Sequence, residues 1–312
     1  MRIALAMLIG AVQIGAAPAQ TAPSPAANEN PFVCGAFREE LRETERTLEG
    51  PRLNTRMFEA AEKGCPSIVV ELLDRGAWLE ARDRFANTVL ILAAAAGHED
   101  LVTLLLERGA ELDHHNLSGS TALARAVQGN HRQTVEVLLA AGASVTLVSR
   151  SGVTPLAAAA FNGSSRIVDL LLEHGADPTE ADGTGKGPVL YAAARGFDTI
   201  VATLLEAGAK PNQTYAHDLT ALMWAAGHPN DVPEAEGLKT VRLLVEQGAA
   251  IDAVDDRGRS ALMIAAERGH ALIVDWLVKQ GANAALMDKQ GKSAADLAQD
   301  EAVRSLLEAA AR

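Results

Sequence analysis

The sequence predicts an all-α solenoid: one elongated stack of helix-turn-helix units in place of globular domains. Three observations carry this. A Gly-Ala pair recurs at Gly76, Gly109, Gly142, Gly175, Gly208, Gly248 and Gly281, with spacings of 33, 33, 33, 33, 40 and 33. Each pair closes the same succession, a short alanine-rich stretch followed by a wide apolar stripe. Aromatic residues make up only 4% of the chain, which suits a core of Ala and Leu. Length alone suggests two globular domains, but a fixed period of this size marks a repeat array in which each unit touches mainly its neighbours.

The clearest unit runs from Gly152 to Asp177. Thr154 can accept a backbone N–H and cap a helix, and Pro155 suits the first helical position, where no N–H is needed. Leu156 to Phe161 form a short first helix whose alanines let a neighbour approach closely. Asn162 and Gly163 break it. Ile167, Val168, Leu170, Leu171 and Leu172 give a second helix its apolar stripe. His174 falls in its last turn, and Gly175 ends it in the left-handed conformation.

The other units follow in order. The first is degenerate, with Thr55-Arg56-Met57 at the capping position. The second and third have Thr88-Val89-Leu90 and Thr121-Ala122-Leu123. The fifth has Gly187-Pro188-Val189; it lacks the capping hydroxyl, so its helix is expected to start less firmly. The sixth has Thr220-Ala221-Leu222 and an insertion of seven residues. The seventh has Ser260-Ala261-Leu262. A truncated unit from Ser293 closes the array as a C-terminal cap. At T-P-L-x-x-A-A and G-A-D this pattern resembles the ankyrin repeat, over residues 54–309. The resemblance implies β-hairpin-like fingers between units, and a backbone-bonding role for His98, His131, His228 and His270 in the inter-helix turns.

Residues 1–19 have one Arg before an apolar run and end in Ala17-Pro18-Ala19, the pattern of a secretory signal peptide. Gln13 interrupts the run, which is shorter than the roughly 20 apolar residues of a membrane span. No membrane insertion is expected after cleavage, and the expected location is the periplasm or the cell exterior. The short leader and alanine-rich composition suggest a bacterial source. Residues 20–35 are expected to be a disordered lead-in. Residues 36–53, with Phe37, Leu41 and Leu48 near one face, are expected to form an N-terminal capping helix with a polar outer side.

The chain has 28 Lys plus Arg against 40 Asp plus Glu, a formal charge of −12. This disfavours nucleic acid, whose backbone needs clustered cations. Cys34 and Cys65, an even count in an exported chain, suggest one disulfide tying the cap to the first repeat; the alternative is two separate thiols. Asp113-His114-His115 can be read as metal ligands or as a solvated finger tip, and no second cluster with ligand spacing accompanies it. Gly183-Thr184-Gly185-Lys186-Gly187 has only a superficial likeness to a phosphate loop, without the preceding strand or full spacing, and is read as a finger. The insertion, His228 to Gly237, holds three carboxylates and a histidine. A catalytic or metal-handling accessory role would centre there, near His228. The simpler expectation is a solvated, protease-sensitive loop whose removal leaves the fold intact. No cofactor, metal or catalytic residue is assigned.

The expected function is recognition of a protein partner by the concave face and finger loops of the solenoid. The resemblance implies contacts from finger tips and first-helix ends. In this sequence these are Arg84, Phe85, Leu117, Arg150, His217, Asp256 and Arg257 at the tips, and Gln128, Phe161, Asn162, Arg195, Glu267 and Arg268 at the helix ends. Phe85 and Phe161 are the principal anchors expected, although Phe161 could equally pack against its neighbours; Arg150 and Arg195 have no place in a core. A partner patch bearing some carboxylates is expected. The sequence sets no oligomeric state.

Overall fold

The computed structural model describes residues 29–44, 49–229 and 231–311. The leader 1–19, residues 20–28 and Leu48 lie outside them. The described chain is a two-layer stack of helices. A cap helix α1 (Pro31–Thr44) precedes the pairs α2 (Pro51–Lys63) and α3 (Pro66–Asp74), α4 (Val89–Ala96) and α5 (Glu99–Glu107), α6 (Ala122–Gln128) and α7 (Arg132–Ala140), α8 (Pro155–Asn162) and α9 (Ser165–Glu173), α10 (Pro188–Ala194) and α11 (Asp198–Glu206), α12 (Ala221–Ala226) and α13 (Glu234–Glu246), α14 (Ala261–Arg268) and α15 (Ala271–Lys279), and α16 (Ala294–Leu297) and α17 (Glu301–Ala310). First helices, α2 through α16, pack on one another in series; second helices, α3 through α17, do the same. The buried residues form one continuous ribbon between the layers, with Ile91, Leu101, Leu123, Leu138, Leu156, Ile167 and Leu171 almost wholly enclosed. Each such side chain contributes about 1.5–3 kcal/mol on burial.

The predicted starts are realised from the second unit on wherever a hydroxyl is present; in the first unit the helix starts earlier, at Pro51, and Thr55 lies inside it with its hydroxyl donating to Pro51 O at 3.2 Å. The hydroxyls of Thr88, Thr121, Thr154, Thr220, Ser260 and Ser293 each accept the N–H three residues on. Each cap contributes about 1 kcal/mol. The histidines stitch units together: Nε2 of His98, His131 and His270 donates to Glu62 O, Ala95 O and His228 O of the preceding unit at 3.0, 3.0 and 3.1 Å. Between units the chain forms short hairpin turns; Val254–Ser260 and Met287–Ser293 are antiparallel bridges, and there is no longer strand among the described residues.

Two further expectations are corrected. The cap helix begins at Pro31, inside the expected lead-in, and ends at Thr44, short of residue 53. Asn30 Oδ1 accepts the N–H groups of Phe32 and Val33, Pro31 fits the first turn, and Cys34 extends the buried stripe of Phe37 and Leu41 back by one turn. Cys34 and Cys65 are buried, with Cα atoms 5.5 Å apart and Sγ atoms 2.06 Å apart.

The fifth unit lacks the cap as expected, and Tyr215 accounts for the glycine: a Cβ at Gly187 would stand 2.4 Å from Tyr215 Cε1. The second correction is the insertion, which is packed and partly helical. Its last residues form the first turn of α13, which has 13 residues against nine in α11. Val232 is buried, Asp231 pairs with Arg195 Nη1 at 2.9 Å, and Glu234 Oε1 accepts the Leu272 N–H at 2.7 Å. The sequence suggested a free loop because its two prolines and three carboxylates hide one apolar residue and two cross-unit contacts.

Candidate interaction face

One side of the stack is built from the fingers and the outer surfaces of the first helices. The fingers share a device. A carboxylate or amide at their base turns inward and binds the finger's own backbone: Asp83 accepts from Phe85 and Asn87, Asn116 from Ser118 and Ser120, Asp182 from Thr184 and Lys186, Asp255 from Arg257 and Arg259, and Asp288 from Gln290 and Lys292. Such local bonds fix tight turns. Successive fingers are then joined by single backbone bonds, Leu117 N to Phe85 O, Arg150 N to Ser118 O, Gly183 N to Ser151 O, Ala216 N to Gly185 O, Asp256 N to His217 O and Lys289 N to Arg257 O. The tips are therefore held in a fixed row. Two fingers depart from the rule: in the fourth the Ser149 hydroxyl stands at the base and accepts the Val153 N–H at 3.2 Å, and in the sixth Tyr215 takes the position, with His217 and Asp218 in the left-handed region.

Many of the residues expected to make contact lie on this face, in unequal states. Phe85, Leu117 and Phe161 are about half exposed, at 52%, 52% and 53%. The Arg84 guanidinium lies 4.7 Å from the Phe85 ring centroid. Arg150 and Arg268 are exposed. Others are engaged within the protein. Gln128 Oε1 accepts from Arg125 at 2.9 Å; Asn162 Nδ2 donates to Val127 O and Gln128 O, tying the fourth unit to the third. Glu267 binds Arg259 at 2.6 Å, Arg257 binds Asp255 at 3.1 Å, and His217 Nδ1 lies 2.7 Å from Asp256 Oδ2. Arg195 stands over Phe161, 5.9 Å from its centroid, but its Nη1 is held by Asp231 of the insertion.

Sequence reasoning missed Tyr191, Trp224 and Lys186. Tyr191 meets Phe161 edge-on, with centroids 5.9 Å apart, and the Lys186 ammonium lies 5.4 Å from the Trp224 ring. Phe161, Tyr191 and Trp224 come from α8, α10 and α12, so three consecutive first helices each carry one aromatic side chain, the ring contact being between Phe161 and Tyr191. The available signal was register: Ala158, Tyr191, Trp224 and Ile264 occupy the same first-helix position, each three residues after the helix start. The Tyr191 hydroxyl donates to Asp182 Oδ2. Burial, then the Asp182 carboxylate, push this phenol up to about 12. Burial works to raise Asp182, but bonds from Tyr191, Thr184 and the Lys186 N–H outweigh it and hold the carboxyl below its ordinary range. The indole Nε1 of Trp224 is enclosed without a partner.

The readings centred on histidine look different in three dimensions. His114 is buried between fingers, its Nε2 bonded to Ala86 O at 3.1 Å and its Nδ1 3.5 Å from Glu111. It is not a solvated tip. His228 is buried and stacks on His270 with ring centroids 4.0 Å apart; its Nδ1 donates to Pro229 O. Its ring fills the space where a Cβ at Gly237 would stand. Among the described residues, no group of three or more His, Cys, Asp or Glu side chains is placed to hold a metal, and no helix is long and apolar enough to cross a membrane.

Comparison with known proteins agrees with this geometry. The family model described as "Ankyrin repeats (3 copies)" matches residues 57–149, 141–215 and 222–312. Ankyrin repeat domain-containing protein 63 of Homo sapiens is 51% identical over 59 residues, which cover 19% of this chain and 15% of that protein. The protein of the same name from Mus musculus is 49% identical over 59 residues, covering 19% and 14%. The chain thus matches only about a seventh of the length of these relatives. Neither bears on a bacterial source.

Proposed function

The chain belongs to the ankyrin-repeat family, and we propose that it is an exported protein that binds a protein partner through its fingers and first helices. Ankyrin repeats are generally protein–protein interaction modules and typically non-enzymatic. The observation that carries the reading is the Phe161–Tyr191 ring pair with Arg195 over it, and beside it on the next first helix Trp224 with Lys186 over its ring. Aromatic and arginine side chains on a rigid scaffold are what interface hot spots are made of, since little entropy is lost on binding. Phe85, Leu117 and Arg150 extend the face along the finger row, and no catalytic step is assigned to any of these residues.

The export reading rests on the leader pattern of residues 1–19 and on the placement of Cys34 against Cys65, which suits an oxidising compartment. Detection of the chain in the cytoplasm with residues 1–19 retained would count against it. The binding reading is tested by changing Phe85, Arg150 and Phe161 together to Ala, then measuring partner capture from the exported fraction and the melting temperature. Loss of capture with an unchanged melt is expected, since truncating one anchor costs about 2 kcal/mol or more. Undiminished capture would move the site to the second-helix side or to the insertion.

A further inference from the structure

Charge on this protein is segregated by the fold. In the fingers formed by residues 82–88, 115–121, 148–154 and 181–187, the acidic residues are Asp83 and Asp182, and both are turned into their own finger backbones. The cations of the same fingers are Arg82, Arg84, Arg150 and Lys186. None of the four has a carboxylate partner among the described residues. The adjoining first helices α4, α6, α8, α10 and α12 contain no acidic residue at all, and bring Arg125 and, at the end of α10, Arg195. On the second helices the situation is reversed. There Arg132, Arg166 and Lys279 are matched by Glu136, Asp169 and Asp275 one turn away. Over these fingers a chain of net charge −12 therefore presents Arg82, Arg84, Arg150 and Lys186 without a carboxylate partner and the finger carboxylates withdrawn; Arg195 is the exception, held by Asp231.

We propose that this face takes an acidic protein segment, one that carries Asp or Glu side chains alternating with apolar anchors. The proposal rests on the binding reading above and specifies its partner. The cations supply attraction and orientation, and the half-exposed Phe85, Leu117 and Phe161 between them supply apolar contact. Separate carboxylates along a segment suit this arrangement because Arg84, Arg150 and Lys186 stand on different fingers, whose order is fixed by the backbone bonds that join successive tips. Nucleic acid is the poorer occupant, because the acidic remainder of the chain repels a continuous phosphate backbone.

The test uses random twelve-residue peptides displayed against the chain carrying residues 20–312. The most enriched peptide is then labelled and its affinity measured beside a labelled twelve-residue oligothymidylate. Asp and Glu should be enriched over the unselected library. Arg84→Gln, Arg150→Gln and Lys186→Gln combined should weaken the peptide about tenfold or more, at two- to five-fold for each surface charge pair, with unchanged melting. Raising the salt should weaken it further. If the enriched peptides are not acidic yet are lost on changing Phe85 and Phe161 to Ala, the charge inference falls and the binding reading stands. If neither set of changes matters, the binding reading itself falls. Tighter binding of the oligothymidylate, or a self-association that the cation variant abolishes, would assign the face to nucleic acid or to a second copy and overturn the proposal.

Discussion

At the scale of the residue, the repeat reveals itself by the positions that break it. Ala86 holds a left-handed backbone, φ 59°, where the corresponding finger positions 119, 152, 185, 258 and 291 are glycine. A Cβ there costs about 1–2 kcal/mol, partly offset by the larger entropy of an unfolded glycine. Ala86→Gly should therefore stabilise the protein by about 0.5–1 kcal/mol, read as a higher urea midpoint; a lower midpoint would mean that the Ala86 methyl packs better than its backbone is strained. Gly187 is the converse case. Restoring the family's hydroxyl with Gly187→Thr should add a cap, yet the Tyr215 ring occupies the space, so a loss of about 1–3 kcal/mol is expected. Combined with Tyr215→Asp, which returns the usual finger acid, the change should be far less costly. An additive double variant would show that the two sites do not interact. The missing hydroxyl at Gly187 was legible; the reason for the glycine was not, because the residue that requires it lies 28 positions further on.

At the scale of the element, helices and caps were legible because period, hydroxyl and stripe coincide at Thr88, Thr121 and Thr154. The insertion was not, because its contacts are to other units: Asp231 to Arg195, Glu234 to Leu272, and His228 to His270. The aromatic contacts were missed for the same reason, since Phe161 meets Tyr191, and Lys186 meets Trp224, only when units stack. Deleting the seven residues 230–236 should now lower the melting temperature, since it removes the burial of Val232 and two cross-unit bonds; an unchanged melt would return the segment to the status of a dispensable loop. The stacked histidines add a pH dependence. Burial first, and then the charge of the neighbouring His228, lower the His270 pKa below its ordinary 6.5; the bond to the His228 carbonyl and then the Glu234 charge work the other way, and Arg268 adds to the lowering. Well above pH 6.5 both folded and unfolded forms are neutral and nothing is lost. Below it the unfolded chain takes a proton that the folded chain resists, so stability falls as the pH falls. Between pH 7.5 and 5.5 the native protein should lose more melting temperature than His270→Gln does. Equal losses would remove the histidine from the account.

At the scale of the whole molecule, stability is a chain of nearest-neighbour contacts, so an effect at one end should stay there. The N-terminal end is closed by α1, whose Phe37 is buried and lies 5.6 Å from the Lys63 ammonium, and whose Glu40 pairs with Arg56 at 2.9 Å. Two cysteines at either side of that junction, separated by 31 positions with Cα atoms 5.5 Å apart, are placed to bridge it. A bridge over this loop contributes roughly 3–4 kcal/mol through the entropy of the unfolded chain. Protein purified without reductant from its own compartment should therefore show no titratable thiol when denatured; two thiols would refute the bridge. Reduction should then act locally. Amides of α1, α2 and α3 should exchange faster by up to two or three orders of magnitude, while those of α12 to α15, far along the stack, keep their protection. If reduction instead accelerated exchange evenly from α2 to α15, the array would be unfolding as one cooperative unit. The bridge would then stabilise the whole solenoid, and the cap would be a fastening for the binding face as well as for its own end.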